Sequence, residues 1–358
     1  MKNGTTQTLF KKLLFDSDLD IALLQEVNDH NLDFLRPQYD YVANIGLTQR
    51  GTAIVFRPNL VPQNIEKSPC GRILTATFCD FHFINIYAPS GSQKKTARDS
   101  FFKNEILFYL RNISLPMILA GDFNCVTDSK DQNSYPTNLC GALVHLCKEL
   151  KFTDVWRHVH TNKVEFSFFR NTSASRLDRF YATPEIVAHV NKCEIIPVPF
   201  SDHSCVQLDL KVQNRICSQV RGRGIWKLNS TLLDDQEICH DFQQMYLNLK
   251  KYQSQYSTRC EWWFRRAKPR IKSFFMRKAK EKSTLFNNTY EFFTTILHSL
   301  RDRLNQGDNC YSEYIEIRHK LLNMQEEKLL GHAIRSLDKN LNKGERTSLF
   351  HLAMLRKR

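Results

Sequence analysis

Apolar and polar positions change period several times along this chain, and each change marks an element. Leu9, Phe10, Leu13 and Leu14 stand at helical spacing, which predicts an amphipathic helix over residues 7–16. The run L-D-I-A-L-L-Q-E-V follows as a buried strand that ends on Glu26. Further apolar runs predict strands at G-T-A-I-V-F-R-P (51–58), R-I-L-T-A-T-F (72–78) and F-H-F-I-N-I-Y-A-P (81–89). Only Cys79 and Asp80 separate the last two, so they should form a hairpin. Residues 96–112 suit a helix lying over the sheet. P-M-I-L-A-G-D-F-N (116–124) is the next strand, bounded by proline and glycine, and residues 138–150 form another helix. Shorter strands fall around F-S-F-F, R-L-D-R-F-Y and V-Q-L-D-L. Strands joined partly by hairpins and partly across helices predict mixed sheets with helices outside, rather than a parallel doubly wound sheet.

Beyond V-R-G-R-G-I-W (220–226) almost everything reads as helix, and the charge changes there too. The whole chain of 358 residues carries a formal +14; residues 1–215 hold +2 of it and residues 216–358 hold +12. The first part has the balance of a globular domain, and the second that of a region facing polyanions or simply a solvated basic surface. No apolar run approaches the roughly 18 residues of a membrane span, and M-K-N-G-T-T-Q-T-L-F lacks the apolar core of a secretion signal. Eleven scattered cysteines, none spaced as C-x-x-C, argue against a disulfide framework or a structural zinc site and for a reducing, intracellular compartment.

The candidate chemistry sits where strands end. L-L-Q-E-V delivers Glu26, N-I-Y-A-P delivers Tyr87, A-G-D-F-N delivers Asp122 and Asn124, and S-D-H-S delivers Asp202 and His203; S-R-L-D-R-F holds Asp178. Taken singly, each has a structural reading: a turn at G-D-F-N, a core tyrosine, a helix cap at S-D-H-S, or an Asp178 ion pair with Arg176 or Arg179. Taken together they fit metal-assisted hydrolysis of a phosphodiester. Mg²⁺ is content with one or two carboxylates, here Glu26 and Asp202. Asp122 is the candidate base for water, positioned by Asn124. His203 and Tyr87 are placed to donate to non-bridging oxygens, and Asp178 to orient His203 or help protonate the leaving oxygen.

In this order the motifs L-L-Q-E, N-I-Y-A-P, G-D-F-N, S-R-L-D and S-D-H resemble the endonuclease/exonuclease/phosphatase superfamily of DNase I and the apurinic endonucleases. The A-L-L-Q-E-V and S-R-L-D-R forms are most similar to the endonuclease domains of non-LTR (LINE-type) retrotransposons. The resemblance implies a four-layer α/β sandwich with two mixed β-sheets over residues 1–212, followed by a basic, mostly α-helical extension over 213–358. It also implies Mg²⁺ as cofactor, with Mn²⁺ as the alternative, and DNA as partner. Glu26 and Asp202 would hold the metal; Tyr87, Asp122, Asn124, Asp178 and His203 would be catalytic. Ser167, Arg170, Asn171 and Arg176 would face DNA, the loop from Arg170 to Ser175 shaping target choice.

One departure bears on activity. The family opens with a strand ending in N-x-N-G, nearly thirty residues before the L-Q-E glutamate, and only 25 residues precede Glu26 here. The chain is therefore expected to lack that strand and its asparagine. G-R-G-I-W-K-L-N-S-T-L-L (222–233) and K-G-E-R-T-S-L-F-H-L (343–352) resemble the stretch between such endonucleases and their reverse transcriptase. The resemblance implies an endonuclease with part of that linker, nicking DNA for target-primed reverse transcription. A silent nucleic-acid-binding remnant and a small-substrate phosphatase are the rivals. R-R-A-K-P-R-I-K-S-F-F-M-R-K-A-K-E-K suits RNA or DNA phosphates, or a nuclear import signal, which makes the nucleus the expected location.

Overall fold

A computed structural model describes residues 4–28, 32–36, 38–46, 51–110, 113–133, 139–171, 173–211, 228 and 230–335. The chain divides into two compact units, Met1–Cys217 with Leu297–His319, and Ser218–Ile296 with Lys320–Arg358.

In the first unit, helix α1 (Gly4–Asp16) leads into β1 (Ile21–Val27), β2 (Asp40–Ile45), β3 (Gly51–Phe56), β4 (Gln63–Lys67), β5 (Ile73–Phe78) and β6 (Phe81–Tyr87). Helices α2 (Lys95–Ser100) and α3 (Ile106–Leu110) flank a π-helical turn, Phe101–Glu105, and precede β7 (Met117–Asp122). Then come α4 (Gly141–Glu149), β8 (Thr153–Asp154), α5 (Val155–Val159), the hairpin β9 (Phe168–Arg170) and β10 (Ser173–Ser175), and β11 (Asp178–Ala182). Helix α6 (Pro184–Val187), β12 (Val190–Ile196) and β13 (Cys205–Leu210) follow.

Six strands form one mixed sheet in the order β4-β5-β6-β7-β11-β8, antiparallel except for the central parallel pair of β6 and β7. Two antiparallel pieces, β1-β3-β2 and β12-β13, make up the facing layer. One core joins Ile118 and Ala120 of β7 to Leu23 of β1 and to Val206 and Leu208 of β13, so both pieces cover the same face of the large sheet. The opposite face, with Ile84, Ile86 and Leu119, packs on Phe101, Phe102, Ile106 and Leu143 of the helices. Phe10 and Leu14 of α1 close the outer side of the small sheet against Val27, Ala53 and Val55. The result is the expected α/β sandwich of four layers, helix, sheet, sheet, helix, with a helical extension.

Among the strands the apolar pattern did not announce are β2, β4 and β12, and β2 nonetheless carries a one-sided stripe, Tyr41, Ala43 and Ile45, that packs in the core. β4 is exposed at all five residues, Gln63 to Lys67, and β12 alternates weakly because Asn191 and Lys192 stand next to each other. Among the described residues α1 is the first element and no strand precedes it. The motif-like stretches at 222–227 and 343–352 lie outside the described residues.

The second unit is helical. α7 (Gln236–Lys250), α8 (Arg259–Trp262), α9 (Lys268–Asn305) and α10 (Tyr311–Arg335) belong to it in whole or in part. Asp235 caps α7 by accepting the Ile238 N–H, and Thr258 caps α8. Leu232, Ile238, Phe274 and Phe275 form one small core; Leu249, Trp262 and Ala267 form another. Lys320 over Phe293 and Lys328 over Phe286 set this part of α10 antiparallel to α9. Among the described residues no helix is long and apolar enough to cross a membrane.

Candidate active site

Three site residues lie abreast across neighbouring strands of the large sheet. Tyr87 of β6 is the register partner of Asp122 of β7, and Asp122 that of Asp178 of β11. The parallel pairing of β6 with β7 is what brings the ends of N-I-Y and A-G-D to the same edge. Gly121 makes the approach: its φ is +137°, and a Cβ there would fall 2.0 Å from the Ile86 carbonyl oxygen. That close approach is why this buried strand ends in glycine before its carboxylate.

Two of the groups stand on left-handed backbone, Glu26 at φ +55° and Asn124 at φ +49°. Such conformations cost a non-glycine residue on the order of 1 kcal/mol and gather where a side chain must be aimed. At Glu26 the cause is a bulge: the register of β1 on β3 slips between Gln25 and Val27. Gln25 Nε2 donates to Asn85 Oδ1 at 2.7 Å, and Asn85 Nδ2 donates to the Leu24 and Ala53 carbonyls at 3.0 and 2.9 Å. Fully buried Asn85 thus ties the two sheets together beside the site, a role that sequence reasoning missed. Its signal was there: one amide inside the otherwise apolar F-I-N-I.

Asn124 donates from Nδ2 to Asp122 Oδ2 at 3.0 Å and to the Ala88 carbonyl at 2.9 Å, and its backbone N–H donates to Asp122 Oδ1 at 2.9 Å. Asp178 Oδ2 accepts from Ser167 Oγ at 2.7 Å and lies 2.8 Å from His203 Nδ1. A bridge between Phe168 and His203 brings the S-D-H segment to this edge. Ligand atoms of Asp122, Asp178 and His203 all lie within 4.8 Å of one another.

Burial pushes the Asp122 carboxyl up to about 7, and the Asp178 charge adds to it; His203 and the Asn124 N–H oppose. Burial alone would lower His203. The charge and hydrogen bond of Asp178, then Asp122 and Asp202, outweigh it and carry the imidazole up to about 10. Near neutrality His203 is therefore an imidazolium whose Nδ1–H donates to Asp178. In that state the ring offers no lone pair, and its Nδ1 is engaged by Asp178. The remaining donors are carboxylate oxygens, which fit a hard divalent cation. Crowded acids with one raised above its ordinary range are what such a cation would relieve. Asp122, from the close group, and exposed Glu26, tied by its hydrogen bond to Tyr87 on the strand beside Asp122, are the carboxylates that would hold it.

Three residues expected to face phosphate or DNA have inward partners instead. Tyr87 was expected to touch phosphate, but it is buried and its hydroxyl donates to Glu26 Oε1 at 2.6 Å, so it orients the carboxylate. Ser167 was expected near the DNA backbone, but it too is buried. Its Oγ donates to Asp178 while accepting the Leu177 and Asp178 N–H groups. Arg176 is closed to DNA: it is 1% exposed, forks onto Asp131 at 2.9 and 2.8 Å and Asp154 at 3.0 and 2.7 Å, and covers Trp156. Arg170 and Asn171 are exposed at the turn of the β9–β10 hairpin, Asn171 at φ +53°. Asp202 is exposed beside His203 and outside the close group of three.

A mixed-sheet sandwich with paired acids and a carboxylate-held histidine at one sheet edge has the architecture of a phosphoesterase. The chain belongs to the Endonuclease/Exonuclease/phosphatase family, which matches residues 3–203. It is 26% identical over 327 residues, 87% of its own length, to the transposon TX1 uncharacterized 149 kDa protein of Xenopus laevis; it spans about a quarter (24%) of that relative. Among solved structures, an AP endonuclease from Archaeoglobus fulgidus superposes with a TM-score of 0.52 at 21% identity, over 58% of this chain and 95% of that one. A 3′–5′ exonuclease from Neisseria meningitidis gives 0.50 at 20%, over the same shares of each chain.

Proposed function

We propose that this chain is a Mg²⁺-dependent DNA endonuclease of non-LTR retrotransposon origin, nicking one strand to leave a 3′-hydroxyl for reverse transcription. The observation that carries the proposal is the row Tyr87–Asp122–Asp178 with His203 closing it. Family membership supports phosphoester chemistry, and likeness to a transposon protein supports the origin.

In this reading Asp122, fixed by Asn124, accepts the proton of the attacking water. The His203 imidazolium, held by Asp178, presents Nε2–H to a non-bridging phosphate oxygen as charge builds there. A divalent cation at Glu26 and Asp122, with Asp202 nearby at the rim, would supply charge neutralisation for the phosphate. Arg170 and Asn171 reach DNA from the hairpin, and the exposed Lys268, Arg270 and Lys280 of α9 serve nucleic-acid phosphates, RNA included. These same basic residues favour the rival, a silent nucleic-acid-binding remnant.

Purified protein, supercoiled plasmid and Mg²⁺ decide between them. The account expects nicked circles that disappear with Asp122→Ala and with chelation. Salt-sensitive plasmid binding without nicking above the Asp122→Ala background would reject the endonuclease and leave the remnant.

A further inference from the structure

Ser167 and His203 are held from a distant part of the chain. Arg301, in the last turns of α9, is 1% exposed. Its Nη1 donates to the Ile195 carbonyl at 2.9 Å and its Nη2 to the Phe166 carbonyl at 3.2 Å, while Nη2 also pairs with buried Glu165 at 2.7 Å. One turn on, Asn305 Oδ1 accepts the Phe166 N–H at 3.3 Å. Both backbone groups of Phe166 are thus gripped by one helix, 135 and 139 residues away. From α10, Tyr314 sets its ring 5.6 Å from Phe169, and Arg318 Nη1 donates to the Ser201 carbonyl at 3.2 Å. All of these residues belong to the first unit.

What they grip is the support of the acid–histidine pair. Ser167 follows Phe166 directly; its Oγ holds Asp178, and its carbonyl accepts the Ser204 N–H at 2.7 Å, next to His203. Burying a guanidinium costs several kcal/mol unless its geometry is filled, and an aliphatic side chain would pack there at lower cost. The arginine instead joins two segments, Glu165–Phe166 and the end of β12 at Ile195, by hydrogen bonds that an apolar residue cannot make.

We propose that Arg301 is a positioning residue for hydrolysis: through Phe166 it fixes Ser167, and through Ser167 the Asp178–His203 pair, so that the hydrolytic unit includes Leu297–His319. The proposal rests on the nuclease reading for its rate effect, but not for its structural effect.

The test compares Arg301→Gln, Arg301→Lys and wild type in the full chain, with Arg303→Gln as control, since Arg303 is half exposed and pairs with Asp308. Amide exchange is read at Leu177, Asp178 and Ser204, alongside plasmid-nicking kinetics. Arg301→Gln should speed exchange at those amides by about tenfold or more with β5 and β6 unchanged. It should lower kcat by about 10- to 100-fold with KM within about twofold, because small misplacements of catalytic groups are costly. Arg301→Lys should recover part of both, and Arg303→Gln should change neither. Wild-type exchange at the three amides, or an unchanged kcat, overturns the proposal; so does faster exchange spread evenly over every strand. Should Arg301→Gln unfold the chain, Asn305→Ala, which removes only the acceptor for the Phe166 N–H, is read the same way. Faster exchange in Arg301→Gln at those amides, with no nicking by wild type, overturns the nuclease reading and leaves the Arg301 hold on Ser167 standing.

Discussion

Asp122 and His203 pull each other's protonation in opposite senses, and the signs can be checked in solution. Asp122 rises from an ordinary 3.8 to about 7 in the folded chain, so its contribution to stability is full below about 4 and is lost as pH climbs through 7. His203 rises from 6.5 to about 10, so its contribution is full below about 6.5 and is lost as pH climbs through 10. Metal-free Asp122→Asn should therefore melt higher than wild type at pH 8, by about 5 °C, and level with it near pH 4. His203→Asn should melt lower than wild type at pH 6 and close the gap by pH 10. A melting curve of Asp122→Asn below wild type at pH 8 would contradict the burial-driven shift. The meeting of Asp122, Asn124 and His203 at one sheet edge was legible because each ends or follows an apolar run. The roles of Tyr87, Ser167 and Arg176 were not, because a side chain's partner across the sheet leaves no mark on its own neighbours.

At the scale of elements, the site depends on how closely β6 and β7 approach and on how the two sheets are tied. Gly121→Ala places a methyl against the Ile86 carbonyl, at a left-handed φ. It should destabilise the first unit by about 3 kcal/mol and displace Asp122, measured by urea melts and nicking rate; a neutral melt would show the strands can part freely. Asn85→Leu keeps the γ-branched shape but removes both hydrogen bonds donated to Leu24 and Ala53 and the acceptor for Gln25. About 2 kcal/mol of stability should go, with loss of nicking because Gln25 adjoins Glu26; activity intact at full stability would contradict the tie. Most alternating elements were visible in the apolar pattern, but β2, with Tyr41, Ala43 and Ile45 on the core side, was passed over. β4 and β12 were not visible, since an all-exposed strand and one with adjacent polar residues show no period of two.

For the whole molecule, charge and packing divide the chain differently. The charge break near residue 216 suggested one boundary, whereas packing assigns Leu297–His319 to the first unit. No sequence signal links Arg301 to Phe166 over that span, because ion pairs of long separation leave no periodicity. The basic exposed face of α9 was legible as charge. Replacing Lys268, Arg270 and Lys280 by Gln should weaken nucleic-acid binding alike for all sequences. Its salt dependence should flatten by about one unit of slope for each phosphate no longer neutralised. Binding that keeps its salt slope would place the polyanion site elsewhere.

The central claim, that strand ends far apart in sequence act as one hydrolytic centre, is tested by a double-mutant cycle on plasmid nicking. Asp122→Asn and His203→Asn should each lower the rate by about 10³-fold, and the pair together should fall little further, as groups acting in a single step do. Losses that multiply as though the two were independent, or nicking that survives both changes, would contradict it.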